Sequence, residues 1–185
     1  MHKEFLIQVH NRIKPFIHKT PVLTSQLINE ITGAQLYFKC ENFQKMGAFK
    51  MRGATNAILN LSEAERRKGV VTHSSGNFAQ ALALAAKKTN TQAFIVMPKN
   101  APQVKKDAVK GYGGIIIECD STPVAREEMA EKVRLEKGAT FIHPSNDDNV
   151  IHGQATAVIE LLKARSGEVI FDGKDLKNTP PYERE

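Results

Sequence analysis

The stretch ENFQKMGAFKMRGATNAILNLSEAER (41–66) places a lysine, Lys50, directly behind Ala48 and Phe49 and ahead of a helix-period run. Most lysines are solvated, and a surface charge at a helix start is one reading of this one. The other reading is an amine held in an apolar pocket, where loss of solvation lowers its pKa and frees it for Schiff-base chemistry. A second stretch, HSSGNFAQALALAAK (73–87), sets Ser74, Ser75, Gly76 and Asn77 at the mouth of an Ala/Leu-rich helix. Backbone N–H groups at such a helix start attract anions, and Ser and Asn add donors. An ordinary N-cap with a turn glycine would use the same residues. The histidines at 2, 10, 18, 73, 143 and 152 show neither HExxH nor His/Cys ligand spacing, so no metal site is expected. GxSxG, Walker GK[ST] and GxGxxG are all missing, and Gly111-Tyr112-Gly113-Gly114 reads as a helix C-cap and turn.

Elements to position these residues are legible as an alternation. Strand candidates are QLYFKC (35–40), VVTHSS (70–75), AFIVMP (93–98), GIIIEC (114–119) and ATFIHP (139–144). Several are continuous apolar runs, as parallel strands covered on both faces require. Helix candidates fall at about 49–61, 77–88, 102–111, 123–137 and 147–163; in the first, Met51, Ala54, Ala57, Ile58 and Leu61 share one face. Strands alternating with helices predict right-handed crossovers in an α/β architecture of open, mainly parallel sheets with flanking helices. In such sheets ligands bind at the carboxyl ends of strands, which is where 73–77 falls.

A chain of 185 residues with 41% hydrophobic and 25% charged residues is of ordinary globular composition, with length for one domain or two small lobes. No segment has the length and apolarity of a membrane span, and the first residues lack the pattern of a leader peptide. Cys40 and Cys119 sit far apart in apolar runs and read as buried reduced thiols, which suits a cytoplasmic protein. The net charge of +6 is spread over short clusters, Arg66-Arg67-Lys68, Lys87-Lys88 and Lys105-Lys106, read as solvated helix flanks. Nucleic-acid binding calls for a single basic stripe or a known module, and neither is present. Anionic small molecules are the more economical partner for this field.

In register, KCENFQKMGAFKMRGATNAI, THSSGNFAQALALAAK and FIVMPKNAPQVKKDAVKGYGG resemble the fold-type II pyridoxal-phosphate enzymes, in particular the serine racemase and serine/threonine dehydratase family. The resemblance runs over about 5–162 and includes HPSNDDNVIHGQATAVIELL (143–162). It implies pyridoxal 5'-phosphate as cofactor, bound as a Schiff base by Lys50 beside Phe49, with Asn77 on the cofactor ring oxygen. It further implies that Ser74, Ser75, Gly76 and Asn77 receive the carboxylate of a small amino acid, serine or threonine. Lys50 would be the acid–base group on one face and Ser75 the group on the other. A second serine before Gly-Asn is similar to the racemases of the family, whereas many dehydratases have alanine there. Racemisation with dehydratase (ammonia-lyase) side activity is the activity implied.

Two departures bear on that expectation. Phe78 stands where such relatives usually carry histidine, which removes a polar group from the edge of the substrate loop. After the GQATAVIELL helix, KARSGEVIFDGKDLKNTPPYERE (163–185) takes the place of the glycine-rich loop that cups the cofactor phosphate, and no glycine run exceeds Gly113-Gly114. The partner of the pyridine nitrogen and the divalent-cation ligands of the family's C-terminal half have no counterpart either. GEVIFDGKDL (167–176) reads as one strand and a turn. The resemblance therefore implies a two-lobed enzyme with an incomplete large lobe: residues 1–70 and 145–185 in the large lobe, 71–144 forming the small one. The alternative is a catalytically inactive, truncated family member that acts through a full-length relative; a homo-oligomer is the other association to expect.

Overall fold

The computed structural model describes residues 2–162, 170–171 and 174–175. The chain begins with α1 (Lys3–Ile13), a short antiparallel ladder of β1 (Val22–Leu23) with β2 (Phe38–Lys39), and α2 (Gln26–Thr32) between those strands. Next come α3 (Lys50–Leu59) and α4 (Glu63–Lys68). A regular alternation follows: β3 (Val70–His73), α5 (Asn77–Lys88), β4 (Ala93–Pro98), α6 (Gln103–Gly111), β5 (Ile115–Cys119), α7 (Pro123–Lys137) and β6 (Thr140–Phe141). The chain closes with α8 (Asp148–Ala155), α9 (Ala157–Leu161) and an antiparallel pair, β7 (Ile170–Phe171) with β8 (Lys174–Asp175).

Strands β3 to β6 form one parallel sheet in the order β5-β4-β3-β6. Every residue of β4 is buried, as its unbroken apolar run predicts for a central strand covered on both sides. Alternation then sorts side chains by face. Val70, Ile95 and Met97 enter a core with Met51 and Ile58 of α3 and Leu82 of α5, while Val71, Phe94 and Val96 pack with Ala130 and Val133 of α7. Each such side chain contributes about 1.5–3 kcal/mol by leaving water.

Strand order is what locates a site. From β3 the chain moves outward through β4 to β5, then returns so that β6 lies on the other side of β3. The crossover that leaves β3 (α5) and the one that leads into β6 (α7) lie on opposite faces of the sheet, and such a reversal of strand order places a crevice beyond the carboxyl ends of these two strands.

Two glycines set the approach of Lys50 to that crevice. A Cβ on Gly153 of α8 would lie 2.6 Å from the Arg52 carbonyl oxygen, and one on Gly53 of α3 would lie 2.6 Å from that of Val150. Only glycines allow α3 and α8 to cross this closely. Hydrogen bonds from Gly53 N to Gln154 Oε1 (3.1 Å) and from Asn56 Nδ2 to the Asn149 carbonyl (2.8 Å) fix the crossing.

Some sequence expectations need correction. The run 35–40 yields only Phe38–Lys39 as strand, because its partner among the described residues is the short β1. The helix expected over 147–163 breaks at Thr156, whose hydroxyl turns back to the Gly153 carbonyl (2.7 Å). Cys119 is buried, but Cys40 is only partly so, since it follows an edge strand. Lys106 is not solvated: it is buried, with Nζ 2.7 Å from both the Lys99 carbonyl and Glu118. The reading of 167–176 as a strand and turn meets the β7–β8 pair at 170–171 and 174–175; its other residues lie outside the described residues.

Candidate active site

Lys50 is the first residue of α3, and its Nζ donates to the Pro144 carbonyl at 2.9 Å. Pro144 follows β6, so the amine reaches from α3 to the strand ends. Two aromatic rings flank it, Phe49 with its centroid 5.2 Å from Nζ and Phe78 at 5.9 Å. Burial holds this ammonium below the usual lysine range. This partly buried setting is nearer to the desolvated-amine reading than to a solvated surface charge.

Lys45, the nearest lysine before Lys50 in the chain, is not a plain solvated charge either. It is partly buried, and burial followed by repulsion from Lys88 lowers its pKa too. What separates the two lysines is position: only Lys50 begins α3 between the rings and bonds a carbonyl beside the strand ends.

Ser74, Ser75 and Gly76 follow β3 and lead into α5, with Gly76 as a cap that uses no side chain. The side chain of Ser74 accepts from Gly76 N at 3.4 Å, which curls the turn. Asn77 begins the helix and is exposed. The first N–H groups of α5 have no intrahelical acceptors. Ser74, Ser75 and Gly76 line a cleft of about 340 Å³ with His73, Pro144 and, from the first turn of α7, Pro123, Arg126 and Glu127. Pro144 thus joins the two halves: its carbonyl holds Lys50, and it lines the cleft with Ser75. A depression of about 420 Å³ between Thr24 and Gln35 is larger but more open, lies against α2, and has none of this chemistry.

The sequence reading gave no role to His73 and Arg126, which line the cleft, or to His143 beside it. His73 and His143 meet edge to face at 5.4 Å, and burial first, then His143, lowers the His73 pKa. Nδ1 of His143 accepts from Ser145 N (3.1 Å) and Asn146 N (2.7 Å), so it shapes the turn that presents Pro144. Arg126 lines the cleft while its Nε is buried with no hydrogen-bond partner among the described residues. No spacing rule marks it, because it is one of several charges on an ordinary helix. Phe78 was placed at the edge of the substrate loop. It is instead 2% exposed and packed in the main core.

A buried charge cluster stands behind the site. All five Arg52 N–H donors are used, on Glu41 (2.8 and 2.7 Å), Glu160 (2.9 and 3.1 Å) and Thr156 Oγ1 (3.4 Å). Lys39 adds a bond to Glu160 (2.6 Å), and Thr20 donates to Glu41 (2.6 Å). Burial alone would raise Glu41 and Glu160, but hydrogen bonds and the Arg52 and Lys39 charges outweigh it and lower both. The cluster ties the loop after β2 to α3 and α9, which anchors the segment that delivers Lys50. A poised amine with a carbonyl as its polar partner, beside a cleft that opens on a helix start, fits an aldehyde-bearing cofactor with an anionic substrate.

Comparison with known proteins agrees with this geometry. The pyridoxal-phosphate dependent enzyme family matches residues 13–171. A β-hydroxyaspartate dehydratase of Paracoccus denitrificans is 52% identical over 164 residues, covering 89% of this chain and 52% of that protein. A serine racemase of Arabidopsis thaliana is 55% identical over 156 residues, covering 84% and 47%. The crystal structure of serine racemase from Dictyostelium discoideum superposes with a TM-score of 0.83 at 49% identity, over 86% of this chain and 52% of that one. The chain spans about half the length of the curated relatives it matches.

Proposed function

The chain belongs to the pyridoxal-phosphate dependent enzyme family, and from that premise we propose that it carries the acid–base half of a serine racemase with dehydratase side activity on serine and threonine. The observation that supports this most is the Lys50 amine, desolvated between Phe49 and Phe78 and held on Pro144 at the edge of the Ser74–Gly76 cleft. Lys50 would hold the cofactor, with Phe49 beside it and Asn77 on its ring oxygen. When bound, pyridoxal phosphate supplies the electron sink that makes an α-proton removable. The helix start with Ser74, Ser75, Gly76 and Asn77 receives the substrate carboxylate. Lys50 Nζ takes the α-proton on one face, and Ser75 Oγ delivers a proton on the other.

The same reading divides the chain into a small lobe, 71–144, and two segments of a larger lobe, 1–70 and 145–185. It takes the two free thiols as those of a cytoplasmic protein. Association with a second copy or a full-length relative is supported by the exposed apolar residues Leu23, Leu27, Ile31 and Phe38 around the β1–β2 ladder. Arg126 supports a second substrate reading. A cation with an unsatisfied Nε in the cleft suits a second carboxylate, and one relative is named a β-hydroxyaspartate dehydratase.

The test is incubation with pyridoxal phosphate, borohydride reduction and peptide mapping, followed by assay of D-serine and pyruvate in one preparation. The expected adduct sits on Lys50 and vanishes in Lys50→Ala; an adduct of equal yield in that variant would refute the assignment. Ser75→Ala should cut serine racemisation about a hundredfold to ten-thousandfold, with elimination affected far less. Substitution of Arg126 by Ala should weaken turnover of 3-hydroxyaspartate more than that of serine.

A further inference from the structure

Phe78 is buried for a reason visible in α5. Phe78, Ala81, Leu82 and Ala85 recur at helical spacing and are all buried, so Phe78 is the first residue of the stripe that seats α5 on α3. Its neighbour Asn77 is exposed. One residue of the helix start therefore serves the cleft and the next serves the Lys50 amine.

The surroundings of that amine are unusual in what they omit. Its polar partner is a backbone carbonyl, and its other near neighbours are two rings. The charged groups on the packing elements are engaged elsewhere. Arg52 of α3 is bound to Glu41 and Glu160. Lys87 and Lys88 lie at the far end of α5. Asp147 caps α8 through Val150 N, and His152 meets Phe5 edge to face. His143 spends Nδ1 on its own turn, and Asp148 of α8 is exposed. Among the described residues, burial is the cause of the lowered Lys50 pKa.

We propose that Phe78 is a positioning residue for the Lys50 amine: as the buried ring on the core side it aims Nζ at the Pro144 carbonyl and keeps water from that side, while Phe49 on the other side is exposed. A ring face attracts a cation, while exclusion of water disfavours it. The two effects oppose each other, and burial, which lowers the Lys50 pKa, acts on the side of exclusion. The wall nearest the core is therefore what keeps the amine poised to react. This extends the assignment of Lys50 above and rests on it for its functional meaning.

The test uses the cofactor-free chain. Lysines are reductively methylated with ¹³C-formaldehyde and cyanoborohydride and titrated by NMR, with the Lys50 signal assigned by its loss in Lys50→Arg. In wild type the Lys50 midpoint should lie below the main group of lysine signals. Phe78→Ala admits water and should move it up into that group, while Phe78→Leu should leave it low. Should Phe78→Ala fail to fold, Phe78→His carries the test, since a neutral imidazole accepts from the ammonium and also raises the midpoint. Lys45 is the internal control and should not move. An unmoved Lys50 in a folded Phe78→Ala or Phe78→His protein overturns the proposal, and so does a shift shared equally with Lys45. Failure to trap pyridoxal phosphate on wild-type Lys50 would refute the functional assignment instead, and the titration would still decide the role of Phe78.

Discussion

Lys50 and Arg52 lie two residues apart in the first turn of α3, yet their cations are treated in opposite ways. Arg52 is fully buried and spends all five donors on two carboxylates and a hydroxyl. Lys50 is half-buried with a carbonyl and two rings. Hydrogen bonds and charges raise the Arg52 pKa against the burial that lowers it, whereas burial lowers Lys50. One cation is held in its charged form by carboxylates, and the other is made easier to deprotonate by burial, as the role proposed for Lys50 requires. A rigid support beside a poised group is the arrangement a Schiff-base lysine needs.

The sharpest way to break this contrast is Arg52→Ala. It leaves Glu41 and Glu160 buried without their main counter-ion, and the expected loss is about 3–5 kcal/mol in urea denaturation. Because both carboxylates have lowered pKa values in the fold, their contribution is present above the unfolded value of 4.5 and is lost as pH falls through the lower folded values. Wild-type stability should therefore fall on acidification below about pH 4.5, and Arg52→Ala should flatten that limb. An unchanged acid limb would show that the cluster does not control it.

Gly153→Ala tests the helix crossing that carries both cations. The added methyl meets the Arg52 carbonyl and Gly53 Cα, each 2.6 Å away. Overpacking of this kind should cost about 1–3 kcal/mol, read as a lowered Tm, and should weaken the Lys50 adduct along with stability.

Lys50→Met sharpens the other side. For an amine whose folded pKa is lowered, the unfolded chain binds more protons between the folded and the ordinary values, so stability rises with pH through that window. Lys50→Met should abolish this rise on the alkaline side and stay within about 1 kcal/mol of wild type at neutral pH. The smallest effect is expected at the exposed pair of Arg67 with Glu63. Glu63→Gln should change stability by less than about 0.5 kcal/mol, which would show that it is burial, and not ion pairing as such, that gives the Arg52 cluster its weight.

The alternating half of the chain was legible because its signals are local. The bounds of α5, β4 and α7 match the sequence reading residue for residue, and β5 and α6 differ by one residue at the start. Three helices went unread although their signals were present. In α1, Leu6, Val9, His10 and Ile13 keep helical spacing and are buried; α2 has Ser25 as cap and Gly33 in the left-handed conformation at its end; α4 carries a capping box of Ser62 with Glu65. Arg52 gave no such signal. Its partners Glu41 and Glu160 are 11 and 108 residues away, and no periodicity links them.

The sequence by itself determined the α/β alternation, the chemistry available at Lys50 and at Ser74–Asn77, and the kinship those motifs carry. These follow from residue type and short spacing, which act before the chain closes on itself. Only the tertiary structure decided that Phe78 walls the amine and does not edge the loop, that Arg126 enters the cleft, and that Pro144 joins Lys50 to it. Each depends on contacts between segments far apart in the chain, whose water is lost only when β3 and β6 lie side by side and α3 crosses α8. Desolvation is a property of the packed neighbourhood, and it is what turns an ordinary lysine into a reactive one.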